Sequence, residues 1–258
     1  MINVNPESTM IKFGTINIYF YGVIVVSGIF LCMYLIEKLS KNRGIEKYHL
    51  ENLYFYLIIF GIIGARIYSV LFFDFKYYKY NFLEIFKIWH GGIAIQGAII
   101  AGILTIYFYC KKNKLNLLKY LDIFALVLPL GQAIGRWGNF FNEELYGKIS
   151  NLPWAIYIQK TGFHHHPIFI YEFILNLLFF FILLKIFRRY YKEGKIFLLY
   201  ILGYGIIRFF MEFLRTDNTL EIFGMRFPQI IAIVFIIFSL YFLLIDKKYK
   251  KLYNYSIK

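Results

Sequence analysis

Three arginines stand in apolar surroundings: Arg66 within Ile58 to Phe73, Arg136 after the run Ile123 to Leu130, and Arg208 within Ile196 to Leu214. A guanidinium stays charged at neutral pH and grips phosphate or carboxylate through a planar fork of N–H donors. Near a bilayer centre each one costs roughly 2.5–3.5 kcal/mol, so anionic groups are expected beside them. Candidate partners lie close by. Gly131 to Gly147 reads GQAIGRWGNFFNEELYG; Gln132, Arg136 and Asn139 share one helical face, Gly131, Gly135 and Gly138 another, and Asn142, Glu143 and Glu144 follow where the helix should end. Tyr204, Arg208, Glu212 and Arg215 are spaced so that they stack on one face of a second helix. Arg208 and Glu212 can neutralise each other, whereas Arg215 is expected to keep a positive charge available to an anion. In the segment His166 to Glu172, Pro167 suits a first helical turn, and Glu172 reads either as an arginine's counter-ion or as a site carboxylate. His164 and His165, just before it, read as solvated loop residues. Trp89 to Gly102 (WHGGIAIQGAIIAG) adds His90 and Gln96 among glycines that permit close packing.

The elements that must carry these side chains are membrane spans. Of the 258 residues 60% are hydrophobic, mean hydropathy is +0.58, and apolar runs of about 20 residues recur along the chain. The reading is an all-α polytopic membrane protein, a single helical domain over residues 1–258. Its seven candidate spans are 17–36, 50–72, 90–110, 118–138, 167–187, 195–215 and 227–245.

Charge orients them. Of the 29 Lys and Arg, 18 fall in one alternating set of connections and the tail, including Lys258, while 8 fall on the opposite side with Lys12 and Arg226 among them. The positive-inside rule puts the N-terminus outside and the C-terminus in the cytoplasm. An anionic inner leaflet accounts for the net charge of +14 without a nucleic acid partner. Arg66, Arg136 and Arg208 then lie in the outer half of outward-running spans. Tyr21, His90, Gln96, His166, Tyr171 and Glu172 lie near the beginnings of the inward-running ones, so polar groups from six helices are expected to converge at one depth. Rival readings are arginines that snorkel to headgroups, an anion or lipid transporter lined by arginines, and a lipid-binding scaffold without chemistry. Cys32 and Cys110 read as packing residues without a disulfide, no metal-like spacing occurs, and span one lacks a basic n-region and reads as retained.

Along nearly its whole length the sequence resembles the prolipoprotein diacylglyceryl transferases of bacteria. The resemblance rests on Gly135-Arg136-Trp137-Gly138-Asn139-Phe140-Phe141-Asn142-Glu143-Glu144-Leu145-Tyr146-Gly147. It is joined by Tyr21-Gly22, Gly64-Ala65-Arg66, the glycine-rich start of span three, His166-Pro167 with Tyr171-Glu172, Arg208-Phe209 with Glu212 and Arg215, and Gln229. It implies a cytoplasmic-membrane enzyme, with its site toward the outer leaflet, that moves the diacylglyceryl group of phosphatidylglycerol to the lipobox cysteine thiol of a prolipoprotein. Glycerol phosphate leaves, and no cofactor is expected. Arg136, Arg208, Tyr21 and Glu144 are the catalytic candidates. Arg136, Asn139, Arg66, Arg208, Glu212, Gln96 and Gly147 are the candidates for holding phosphatidylglycerol. The sequence departs from the family at Gln96, where several members carry histidine. Glutamine takes no proton at neutral pH, so the base is His90, a carboxylate or Tyr21, or else no dedicated base exists.

Overall fold

A computed structural model describes residues 9–13, 16–189 and 192–255; Lys258, counted above among the inner basic residues, lies outside them. Eight α-helices dominate the described residues: α1 (Phe20–Ser40), α2 (Lys47–Phe72), α3 (Phe75–Tyr80), α4 (Ile95–Lys112), α5 (Leu117–Phe141), α6 (Ile168–Arg189), α7 (Lys195–Met211) and α8 (Phe227–Tyr255). Three two-stranded antiparallel hairpins accompany them: β1 (Thr9–Phe13) with β2 (Ile16–Tyr19), β3 (Ile156–Ile158) with β4 (Phe163–His165), and β5 (Glu221–Ile222) with β6 (Met225–Arg226).

Among the described residues, six helices are long and apolar enough to cross a membrane: α1, α2, α5, α6, α7 and α8. Their outward faces carry large apolar side chains such as Phe30, Phe55, Leu178, Phe210 and Ile237. In water such faces would drive association, whereas in a bilayer they meet acyl chains. The protein is an all-α, multi-pass membrane protein. The expected third span starts later than its sequence suggests. Residues 82–86 and 88–90 form 3₁₀ turns, and Gly91 and Gly92 have φ of 87° and 71°, a region closed to the right-handed helix. Helix α4 therefore begins at Ile95 and has 18 residues. His90 lies in the 3₁₀ turn before it, not on the helix.

The chain forms two compact units, residues 37–121 and residues 1–36 with 122–258. In the first, α2 packs on α4 where Gly64 and Gly97 meet; a Cβ on Gly97 would press on the Gly64 backbone. In the second, Asp122 of α5 accepts the backbone N–H groups of Gly194 and Phe197 at 2.8 Å each. It thereby satisfies donors that the first turn of α7 leaves without partners. Beyond α5, hairpin β3–β4 packs Ile156 and Ile158 against Phe169 of α6, with Phe140 and Tyr146 around them. This small core fixes the Asn142–Pro167 connection over the ends of α5 and α6.

Candidate active site

In the larger unit, α5, α6, α7 and the segment between α7 and α8 bring together four guanidiniums and three carboxylates. Glu172 of α6 pairs through one oxygen with Arg136 Nε and through the other with Arg215 Nη2 at 3.4 Å. Glu212, in the 3₁₀ turn Glu212–Leu214 that follows α7, pairs with Arg208 Nη2 at 3.1 Å and with Arg226 Nε at 3.3 Å. Asp217 lies 3.9 Å from Arg215 and 3.6 Å from Arg226. Four positive charges against three negative ones leave the network with one positive charge. Glu172 and Glu212 are fully buried, so their charges depend on these partners.

The arginines differ in what they have left to donate. Arg226 of β6 gives N–H groups to the carbonyls of Glu212 (3.1 Å), Arg215 (2.8 Å) and Asp217 besides its ion pairs. Arg215 is 6% exposed. Burial, reinforced by the nearby charges of Arg208 and Arg136 and opposed by Glu172 and Asp217, holds its pKa below the ordinary guanidinium value. Arg136 and Arg215 share the Glu172 carboxylate, and the charge of Arg208 is felt at Arg215. Arg136 and Arg208 keep side-chain exposures of 22% and 19%. Among the described residues Arg136 meets only Glu172 and, at 3.3 Å, the Asn139 side-chain oxygen, and Arg208 meets only Glu212. Both retain free N–H donors on accessible guanidiniums.

The other expected residues fall in three places. Tyr21 and Glu144 line a common open cavity of about 530 Å³ with Tyr19, Gly22, Asn142 and Lys160. The Tyr21 ring lies against Gly138, where an added Cβ would come within 2.5 Å of it. Glu144 accepts from Asn142 Nδ2 at 3.3 Å. Gly147 is a backbone junction: its N–H donates to the His166 carbonyl at 2.9 Å and it bridges to Arg215, while Lys148 N–H donates to the Leu214 carbonyl at 2.9 Å. The junction ties the Asn142–Pro167 connection to the turn that carries Arg215.

Arg66, His90 and Gln96 belong to the smaller unit. All five Arg66 N–H donors are matched by backbone carbonyls, those of Ile85 (2.9 Å), Gly91 (2.5 Å), Gly92 (2.8 Å), Glu84 and Lys87 (3.4 Å). The guanidinium also lies 4.9 Å from the Tyr78 ring centroid. Arg66 thus organises the Glu84–Gly92 loop. His90 Nδ1 meets Glu84 Oε2 at 2.7 Å, and Lys87 Nζ donates to Glu84 Oε1 at 2.6 Å. The Lys87 hydrogen bond first, then that of His90, holds the Glu84 carboxyl below the usual carboxylate range. A histidine whose Nδ1–H faces a carboxylate presents Nε2 as an acceptor, the arrangement a general base needs. Gln96 is exposed in the first turn of α4.

Three expectations change. His165 is not a solvated loop residue: it is buried, with Nδ1 2.7 Å from the Gly147 carbonyl and Nε2 2.8 Å from Thr161 Oγ1, because strand β4 turns it inward. His164 is half-buried with its ring against Tyr157. Arg215 is not an exposed reserve of charge, since Glu172 and Asp217 engage it. Arg226, read only as an outer basic residue, is a central member of the network. Its signal in the sequence was faint, a basic residue just after Gly224 with no helical spacing to Glu212. Among the described residues no group of three His, Cys, Asp or Glu side chains is placed to hold a metal ion.

Fold and site together define a multi-pass membrane protein with a buried, net-positive arginine–carboxylate network at the ends of its helices. Residues 8–245 match the family of prolipoprotein diacylglyceryl transferases. The chain is similar to phosphatidylglycerol–prolipoprotein diacylglyceryl transferases of several bacteria. It is 43% identical to that of Finegoldia magna, covering 92% of this chain and 93% of the relative. The match to the Thermotoga petrophila enzyme is 40%, over 88% and 80%, and to that of Staphylococcus haemolyticus 38%, over 95% and 90%. The chain belongs to the prolipoprotein diacylglyceryl transferase family.

Proposed function

We propose that this protein transfers the diacylglyceryl group of phosphatidylglycerol to the thiol of a prolipoprotein's lipobox cysteine, at a site facing the outer leaflet of the bacterial cytoplasmic membrane. The cysteine thiolate attacks the glycerol carbon that bears the phosphate. A C–S bond forms, the C–O bond breaks, and its electron pair leaves with glycerol phosphate. The phosphate passes from a singly charged diester to a more highly charged monoester, so cations fixed beside it stabilise the transition state more than the bound lipid. The observation that carries this reading is the pair of accessible guanidiniums with unused donors, Arg136 and Arg208, each anchored from behind by a buried carboxylate.

Asn139, Glu172 and Glu212 position those arginines, while Tyr21 and Glu144 line the cavity through which the peptide approaches. The thiol's proton leaves more readily in a positive field, which lowers a thiol's pKa. The test is to incubate the purified protein with phosphatidylglycerol and a lipobox peptide. The expected result is a diacylglyceryl mass addition on the cysteine with release of glycerol phosphate; a peptide that stays unmodified while lipid crosses the bilayer would favour a transporter instead.

A further inference from the structure

A groove of about 630 Å³ runs between α2 and α4, wholly within the smaller unit. Side-chain size sets where it opens. At one end Gly64 and Ala101 approach so closely that a Cβ on Gly64 would come within 2.4 Å of the Ala101 methyl. Further along, the lining residues are Tyr56, Thr105 and Tyr109, too large for the helices to meet in the same way.

The groove is apolar along its length and polar at its far end. Ile63, Leu104 and Phe108 line it with exposed side chains, whereas Tyr48, Asn52, Lys112 and Asn113 line it where α2 begins and α4 ends. From Ala101 to Lys112 helix α4 advances about 17 Å at 1.5 Å per residue, close to one leaflet of a hydrocarbon core about 30 Å thick. In the orientation that the basic connections imply, the polar end lies at the cytoplasmic surface, a depth that suits its tyrosines. That end is also held in place: His49 Nδ1 meets the Tyr109 hydroxyl at 3.0 Å, and Asn113 Nδ2 donates to the Tyr109 carbonyl at 2.9 Å.

Charge then narrows the occupant. Lys112 is the one charged residue among the described residues that line the groove. It is exposed, and no carboxylate among the described residues pairs with it, whereas Lys47 of α2 is held by Glu37 and Glu51. We propose that this groove binds an anionic phospholipid of the cytoplasmic leaflet, with one acyl chain laid between α2 and α4 and the phosphate at Lys112. The lipid is a bound companion of the smaller unit and not a reactant, so the site does not depend on the transfer reaction. A phosphatidylethanolamine fits it less well, because its ammonium meets Lys112 and finds no carboxylate in the lining.

The test uses the full-length protein in phosphatidylcholine nanodiscs with two photoactivatable probes, phosphatidic acid and phosphatidylethanolamine, each carrying the same diazirine-bearing acyl chain. After irradiation, labelled residues are mapped by mass spectrometry. The phosphatidic acid probe is expected to label the groove, at Tyr56, Leu104 and Phe108, about fivefold more than the phosphatidylethanolamine probe, the scale of one basic residue at an anionic surface. Lys112→Gln should bring the two probes to within about twofold of each other. Thr105→Trp, which fills the groove, should reduce labelling by both. Lys112 is exposed at a helix end, so its variant folds even if the Thr105 variant does not. Equal labelling by the two probes in the wild-type protein, or a preference that survives Lys112→Gln, overturns the anionic assignment. A groove that neither probe labels, as when a second copy of the chain covers it, overturns the lipid site altogether.

Discussion

Arg136 and Arg208 combine unused N–H groups with accessible guanidiniums, whereas Arg66 and Arg226 have theirs engaged and Arg215 is buried, and that difference orders the expected effects of substitution. Arg136→Ala should insert normally and lose transfer by roughly 30- to 1000-fold, the equivalent of about 2–4 kcal/mol for one charge-assisted contact in a desolvated site. Arg136→Lys should recover little, because a point charge does not reproduce the fork. Single-turnover rates with a lipobox peptide measure both, and near-normal turnover of Arg136→Ala would remove its central role. Arg208→Ala should be comparably slow yet still fold, since Glu212 keeps Arg226 at 3.3 Å. Arg226→Met takes away the clamp that holds three carbonyls, so it should destabilise the protein on the order of 3–5 kcal/mol, visible as a lower Tm in detergent; an unchanged Tm would contradict the clamp. The proton is a separate question. If the arginine field alone depresses the thiol's pKa, His90→Gln and Gln96→Ala leave substantial activity, and raising the pH partly rescues Arg136 variants by supplying thiolate. Loss of activity in His90→Gln, with disappearance of a titration near pH 6–7, would make the His90–Glu84 pair the base.

At the scale of elements, the helices were legible because apolar runs of span length fix both their existence and their burial, and the Arg136–Asn139 and Arg208–Glu212 spacings follow from helical geometry alone. The hairpins were not legible. Strands of two or three residues such as Glu221–Ile222 and Met225–Arg226 are defined by their pairing, and no periodicity in so short a segment announces it. Arg226 and His165 were misread for that reason: a hairpin, not a helix face, turns each of them inward. The start of α4 was misplaced because apolar composition outweighed two consecutive glycines that the backbone uses at positive φ. Helix contact also yields a test of the α1–α5 packing. Gly138→Ala forces the Tyr21 ring away, so its effect on transfer should be strongly non-additive with Tyr21→Ala in a double-mutant cycle. Simple additivity would mean that Gly138 acts independently of Tyr21.

For the whole molecule the open quantity is the number of crossings. Six helices qualify by length and apolarity, and α4, with 18 residues, spans about 27 Å at 1.5 Å per residue. A hydrocarbon core of about 30 Å accommodates that shortfall by local thinning at modest cost. The last turn of α4 and the residues after it, into the start of α5, carry Lys111, Lys112, Lys114 and Lys119, a charge cluster that crosses poorly and anchors on the cytoplasmic side. Helix α4 is therefore expected to be a seventh crossing, with the N-terminus outside. Reporters fused at Asn42, at Asn113 and after Lys258 should all behave as cytoplasmic, and one at Asn151 as external. The pair at Asn42 and Asn113 is the discriminating one, because α2 and α4 are the two long helices between them: two crossings return the chain to the same side, one leaves it on the other. An external Asn113 would reduce the count to six. A cytoplasmic Asn151 would place the Arg136–Glu172 network at the inner leaflet, away from exported prolipoproteins, and would remove the basis for the proposed site.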